Sequence, residues 1–432
     1  MSAHTLVPEQ ARSPELVLPQ PTPADLATLT ELDRSLDKKG TALDIGRTVI
    51  TASDGVLVVD DCHGLYPRDG VVPVSYIEGQ VSNVTIRGRQ KNIIWSSGEA
   101  ALREFVNFAA VHMVDNGTRK GGDPIIAYGM ELYGQSRRYF ANEKKKGVNV
   151  ISFDSGREES VIEAIDKGAD VLFTESVANT PGMPVFNLHS ALRYMHGLDR
   201  PPLLGVDNTL ALKTGVKITD LIRPDDPVIF VESGTKNLMN NSELLGITYS
   251  PNLVLMDELR KHKAHSGAVN SIGALASISA KLKLTLPGFH DRNLSVFNST
   301  AKIAAGLEEA AAELGADADF TTTFPTSPKH PNYHYAKAIT PVEADFISPV
   351  AFITANDLSE NGAPDLVRRI AEHPAIKEQI GEGQIHLGQS FGMPKARLLY
   401  DRNAPNVRFA GGFHLADEDA LAAAIKEAAA DK

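Results

Sequence analysis

The sequence predicts an α/β fold, a mostly parallel sheet with helices on both faces, followed by a smaller α+β part. Three observations predict it. From about residue 96, apolar runs of strand length alternate with runs of helix length, the pattern of parallel strands joined by crossover helices. After about residue 290 that alternation stops. The chain of 432 residues, 42% hydrophobic and 22% charged, is long enough for two or three ordinary globular domains.

The elements follow in order. Residues 1–23 carry five prolines, which cannot hold a helix and predict an extended arm. Residues 24–38 space their apolar side chains for a short helix, and residues 40–95 show no dominant period. A wide apolar face predicts a helix over 99–115, and PIIAY (124–128) reads as a buried strand. A helix is predicted over 134–146, with cations in the last turn where they suit the helix dipole. Strand 147–153, helix 158–167, strand 170–175, helix 187–196 and strands 201–207 and 227–232 complete the alternation. Beyond it come a long helix (299–314), a strand region (344–355), a helix (364–373), a strand (406–413) and an Ala-rich terminal helix (417–432).

Composition excludes several classes. The 43 Lys and Arg stand against 54 Asp and Glu, a net charge of −11, which argues against a nucleic-acid binder. No run approaches 18 apolar residues, so no membrane span is expected. The N-terminal residues show neither a basic nor an apolar leader region, and the expected location is the cytoplasm. Cys62 is the one cysteine, too few for an internal disulfide or a cysteine-based zinc site. His330 and His334 are spaced i, i+4, but Pro331 interrupts any helix between them, so no metal site is expected.

In parallel sheets ligands sit beyond the carboxyl ends of the strands, which makes the residues after each strand the candidates. Strand 201–207 ends in Asp207-Asn208-Thr209, strand 227–232 leads into Ser233-Gly234-Thr235-Lys236, and strand 170–175 into Ser176-Val177-Ala178-Asn179. A lysine close behind two hydroxyls and a glycine, with an aspartate at a neighbouring strand end, suits pyridoxal phosphate. The amine takes the aldehyde, the aspartate keeps the ring nitrogen protonated, and hydroxyls with backbone N–H groups receive the phosphate. Taken alone, a lysine after a strand is usually a solvated side chain, and Asp-Asn-Thr is more often a turn or a helix cap.

With VDNT (206–209) followed by SGTK (233–236), the sequence resembles the cysteine/methionine-metabolism group of pyridoxal-phosphate enzymes, such as cystathionine γ-synthase and γ-lyase. Further segments resemble that group in the same order. They are Tyr66-Pro67-Arg68, Ser97-Gly98-Glu99, Tyr133-Gly134-Gln135-Ser136 and Glu175 to Thr180, then residues 282–293, 324–336 and 406–425. The resemblance implies a fold-type-I architecture with an N-terminal arm and oligomer contact (1–65), a cofactor domain (66–290) and a C-terminal domain (291–432). It implies pyridoxal 5'-phosphate as cofactor, an amino acid as substrate, and a homodimer or homotetramer whose subunits share active sites.

Residue by residue, it implies that Lys236 carries the cofactor and moves protons, that Asp207 faces the ring nitrogen, and that Tyr133 stacks on the ring. Gly98, Glu99, Thr209, Ser233 and Thr235 would surround the phosphate. Tyr66 and Arg68 would complete the site of a neighbouring subunit, with Tyr66 also catalytic. Asn179 would contact the ring hydroxyl and the substrate, Arg408 would clamp the substrate carboxylate, and His386 would stand on the substrate rim. The expected activity is γ-elimination or γ-replacement through a vinylglycine-type intermediate. A β-lyase, an aminotransferase and a catalytically silent relative remain open. Departures from the family pattern lie at Glu99, at Asp69 to Pro73, at Asn240-Asn241 and at residues 386–392, which suggests a divergent member with an unusual γ-leaving group.

Overall fold

A computed structural model describes residues 48–53, 56–61, 72–83, 91–115, 123–211, 222–315, 318, 320–322, 324–325, 327–340, 348–355, 362–381, 385–387, 396–400, 406–412, 423–424 and 426–428. The proline-rich arm, the helix expected over 24–38, Cys62, Tyr66 and Arg68 lie outside the described residues.

Strands β1 (Thr48–Ser53) and β2 (Val56–Asp61) pair as an antiparallel hairpin. The main sheet contains β3 (Lys91–Trp95), β4 (Ile125–Gly129), β5 (Asn149–Phe153), β6 (Val171–Glu175), β7 (Leu203–Asp207), β8 (Val228–Ser233) and β9 (Gly246–Ser250). Their order is β3-β9-β8-β7-β6-β4-β5. β4 to β8 run parallel and β9 runs antiparallel to both its neighbours. The five strands of the parallel block match the five expected from sequence between residues 124 and 232.

Because strand side chains alternate faces, one apolar run feeds two cores. Leu172, Leu204, Val206, Val228 and Phe230 join a core with the helices Glu158–Asp166, Leu188–Met195 and Ile272–Thr285. Val171, Phe173, Leu203, Ile229 and Val231 face the other way, onto the helices Gly98–Asp115, Gly134–Lys145 and Leu253–Ser266. Both layers expected of a parallel sheet are therefore present.

The smaller sheet holds β10 (Phe320–Thr322), β11 (Val350–Ala355), β12 (Ile385–Leu387), β13 (Ala396–Tyr400) and β14 (Asn406–Ala410), ordered β10-β11-β14-β13-β12. All its pairings are antiparallel except β12 with β13. It packs on a third core with the helix Gly362–Glu372 and the end of the helix Phe289–Leu314. That long helix begins ten residues before the expected start at 299. Gly288, at φ 63°, turns the chain into it in the left-handed region that glycine adopts without strain. Among the described residues, no helix is long and apolar enough to cross a membrane.

Candidate active site

The carboxyl ends of β6, β7 and β8 open onto one cleft of about 220 Å³. Its wall includes Gly98, Glu99, Tyr133, Asn179, Asp207, Thr209, Ser233, Thr235, Lys236 and Arg408. Ten residues that the sequence assigns to one site thus share one cavity, although they come from five elements and from the loops that carry Tyr133, Asn179 and Thr209. His386 falls on β12, two strands from the β14 that carries Arg408, and only its backbone is described.

The helix Gly98–Asp115 presents its N-terminus to this cleft, where backbone N–H groups lack intrahelical partners. Ser97 caps it: the Ala100 N–H donates to Ser97 Oγ at 3.1 Å. Gly98 is wedged against β8, since a Cβ there would lie 2.8 Å from the Ser233 Cβ. Only glycine lets the helix start approach the strand end so closely. Ser233 donates its N–H to Thr209 Oγ1 at 2.9 Å, and Thr209 donates its own to Asp207 Oδ1 at 2.8 Å. A helix start with the hydroxyls of Ser97 and Ser233 beside it, all lining the cleft, makes a donor set that suits a phosphate.

Thr235 also lines the cleft, but its hydroxyl is engaged with Leu245. It accepts the Leu245 N–H at 2.8 Å and donates to the Leu245 carbonyl at 3.3 Å.

The acids have unusual surroundings. Asp207 ends β7 beside Glu175 at the end of β6, in register. Burial pushes the Glu175 carboxyl well above its ordinary range, and the neighbouring Asp207 pushes it further. Burial likewise raises Asp207 against the opposing hydrogen bonds from Thr209. Glu99 is raised by burial, with Arg103 and a 3.5 Å hydrogen bond from Ser136 Oγ opposing. A cation brought to Asp207, such as a protonated ring nitrogen, meets a carboxyl that burial has taken out of water.

Glu175 received no role from sequence, yet it ties the site together. Its Oε1 accepts the Tyr133 N–H at 2.5 Å and its Oε2 the Asn179 N–H at 2.9 Å. Tyr133 stands at the head of the helix Gly134–Lys145 and is 43% exposed, so its ring is available to the cleft. Asn179 Oδ1 accepts from Arg408 Nη1 at 3.3 Å, which joins the main sheet's loop to β14 of the smaller sheet. The register of β6 and β7 was the signal that would have found Glu175.

Lys236 sits in the short helix Gly234–Asn237 that follows β8. Burial lowers its pKa first, and the Arg408 guanidinium lowers it further. The histidines are used differently. His330 is buried, accepts the Asn332 N–H at 3.0 Å on Nδ1, and contacts the Gly182 carbonyl at 2.6 Å through Nε2. Those partners fix the neutral Nε2–H tautomer, and the ring serves as a loop fastener.

The family profile described as "Cys/Met metabolism PLP-dependent enzyme" matches residues 60–362, well over half of the chain. The chain belongs to that family. It is therefore a pyridoxal-phosphate enzyme of the Cys/Met-metabolism type, and its cofactor is pyridoxal 5'-phosphate.

Solved structures share the fold. A cystathionine gamma synthase from Xanthomonas oryzae pv. oryzae, in complex with cystathionine, superposes with a TM-score of 0.61 at 17% identity. The match covers 85% of this chain and 86% of that one. A putative O-acetylhomoserine (thiol)-lyase from Campylobacter jejuni subsp. jejuni, which carries a pyridoxyl-lysine monophosphate, gives 0.61 at 17% identity. There 85% of this chain and 88% of that one are covered. A search of curated proteins gives no match.

Proposed function

We propose that this enzyme acts at Cγ or Cβ of an amino acid by γ-elimination or γ-replacement, with Lys236 as the cofactor lysine. One observation carries the reading: Lys236, Asp207, Tyr133 and Arg408 line a single cleft at the strand ends, beside a helix start suited to phosphate. Bound there, pyridoxal phosphate supplies an aldehyde for covalent attachment and an electron sink for carbanions formed on the substrate.

The chain's own groups do the rest. Gly98, Glu99, Ser233 and Thr209 surround the phosphate. Asp207 pairs with the ring nitrogen, and Tyr133 supplies an aromatic face. Arg408 binds the substrate carboxylate through its planar fork, which Asn179 steadies by accepting from Nη1. Lys236, once released, takes a proton from Cα and returns or removes one at Cβ. Its lowered pKa increases the fraction of free amine near neutrality.

In this reading Tyr66 and Arg68 reach the site of a second copy, and the active form is a homodimer or homotetramer in the cytoplasm. Residues 1–65, 66–290 and 291–432 then serve as arm, cofactor domain and carboxylate domain. The departures at Glu99, Asp69 to Pro73, Asn240-Asn241 and residues 386–392 leave the cofactor core intact and alter the substrate rim, which leaves room for an unusual γ-leaving group, such as a halide in specialised metabolism.

Two experiments test this. Borohydride reduction with pyridoxal phosphate should label Lys236 in the wild type and nothing in Lys236→Ala. Absence of label on Lys236 refutes the assignment. Incubation with γ-substituted amino acids in heavy water should then give exchange at Cβ as well as Cα. Exchange confined to Cα counts against γ-chemistry.

A further inference from the structure

The loop after Lys236 holds Asn241, which departs from the family pattern and to which no role at the lysine amine has been given so far. Between the short helix Gly234–Asn237 and β9 the chain reverses through Asn240 and Asn241, at φ 47° and 60°. Consecutive left-handed residues without glycine are costly, and asparagine is among the side chains that tolerate the region best. The loop is tied to the lysine's own turn. The Asn241 N–H donates to the Thr235 carbonyl at 2.8 Å, and Thr235 is bonded through both main chain and hydroxyl to Leu245. This geometry delivers the Asn241 side chain to the amine: Lys236 Nζ donates to Asn241 Oδ1 at 3.4 Å.

We propose that Asn241 is a positioning residue that holds the Lys236 amine in the cleft whenever that amine is not covalently committed. Through that bond it governs how readily the amine captures an aldehyde. The inference rests on Lys236 being the cofactor lysine. Other charged or titratable groups lining the cleft with Lys236 are Arg408 from β14, Asp207 from β7, Glu175 from β6, Glu99 from the helix Gly98–Asp115, and Tyr133. Among these, Asn241 contributes a neutral acceptor. It can hold an amine or an ammonium without fixing the proton, whereas a carboxylate in its place would favour the ammonium.

Two variants separate positioning from loop closure. Asn241→Asp keeps the shape and the left-handed backbone but adds charge. Asn241→Gly keeps the backbone and removes the acceptor. Cofactor-free protein is mixed with pyridoxal phosphate, and covalent capture is followed by absorbance and borohydride trapping across pH. In capture, Nζ adds to the aldehyde carbon, a C=N bond replaces C=O, one water leaves, and nothing is oxidised or reduced. Asn241→Asp should move the pH midpoint of capture upward by roughly 1–3 units. Asn241→Gly should slow capture several-fold with little change in denaturation midpoint.

Wild-type midpoint and rate in both variants overturn the proposal and leave Asn241 a loop residue. Competitive labelling of the cofactor-free chain with acetic anhydride gives a second readout. The Lys236 labelling midpoint should rise in Asn241→Asp, and an unchanged midpoint also overturns the proposal. If the wild type captures no cofactor while labelling still shifts, the functional reading fails and the Lys236–Asn241 contact stands.

Discussion

Replacing Gly246 with alanine tests how the site is built, because the added methyl group meets backbone. Gly246 opens β9 and is paired with Trp95 in β3 and with Ser233 in β8. A Cβ there would stand 2.0 Å from the Ser97 carbonyl oxygen, 2.5 Å from its carbon and 3.0 Å from the Gly98 nitrogen. Comfortable contact begins near ~3.5 Å, so one partner must move by more than about 1 Å. β9 is bonded on both sides, which leaves the Ser97-Gly98 turn to give way. That turn starts the helix Gly98–Asp115 and is already pressed against Ser233. Overpacking of this kind costs about 1–3 kcal/mol, and with no flexible side chain to absorb it the upper end is expected. Displacing the helix start also moves the donors assigned to the phosphate, so affinity for pyridoxal phosphate should fall at least about tenfold. Urea denaturation of the cofactor-free protein reads the first effect and titration with cofactor the second. Gly273→Ala is the control: nothing lies within 4 Å of its Cβ, and alanine favours its helix. Wild-type stability and affinity in Gly246→Ala would refute the argument that this turn has no room to move.

Three other outcomes are expected. The folded chain holds the Glu175 and Asp207 protons more tightly than the unfolded chain does, because burial raises both carboxyls. Their contribution to stability is complete below about pH 4 and is lost as pH rises through the raised native values. Glu175→Gln should flatten that decline in pH-dependent denaturation of the cofactor-free protein, and an unchanged slope contradicts the assignment. His330→Ala removes both ring contacts, to Asn332 and Gly182, and should cost roughly 2–4 kcal/mol in denaturation while leaving cofactor absorbance intact. Arg408→Lys keeps the charge but loses the planar fork, and should raise KM for the amino acid about tenfold or more with a smaller effect on kcat; a change confined to kcat counts against carboxylate binding.

The parallel block was legible because its strands are apolar runs bounded by turn residues, the signature of strands buried on both faces. β9 was not, since GITYS is fully buried yet half polar. Its hydroxyls are satisfied by the neighbouring structure: Thr248 Oγ1 accepts from Trp95 Nε1 at 2.9 Å and Ser250 Oγ donates to the Val228 carbonyl at 2.6 Å. The early start of the helix Phe289–Leu314 was hidden in the same way. Buried Asn293 donates to the Phe289 carbonyl at 2.6 Å, a bond to the helix's own backbone that hydropathy does not register. For the site, the meeting of Lys236, Asp207 and Arg408 in one cleft was legible from strand ends and motif order. Glu175 and Asn241 were not, because one acts through strand register and the other through a left-handed loop.

The electrostatics of the cleft explain why an acidic chain can still hold an anionic cofactor. The charge of −11 belongs to the whole chain. In the cleft Glu99, Glu175 and Asp207 are all raised, with burial the largest cause for each. A raised carboxyl carries less negative charge at a given pH than an exposed one, so the wall opposes a phosphate less than a count of its acids suggests. The same burial means that Asp207 gains from an incoming cation. A ligand that brings a protonated nitrogen to Asp207 and a phosphate to the helix start is matched at both ends. Binding of such a ligand to the folded state alone stabilises it by mass action, so cofactor binding and stability should rise together.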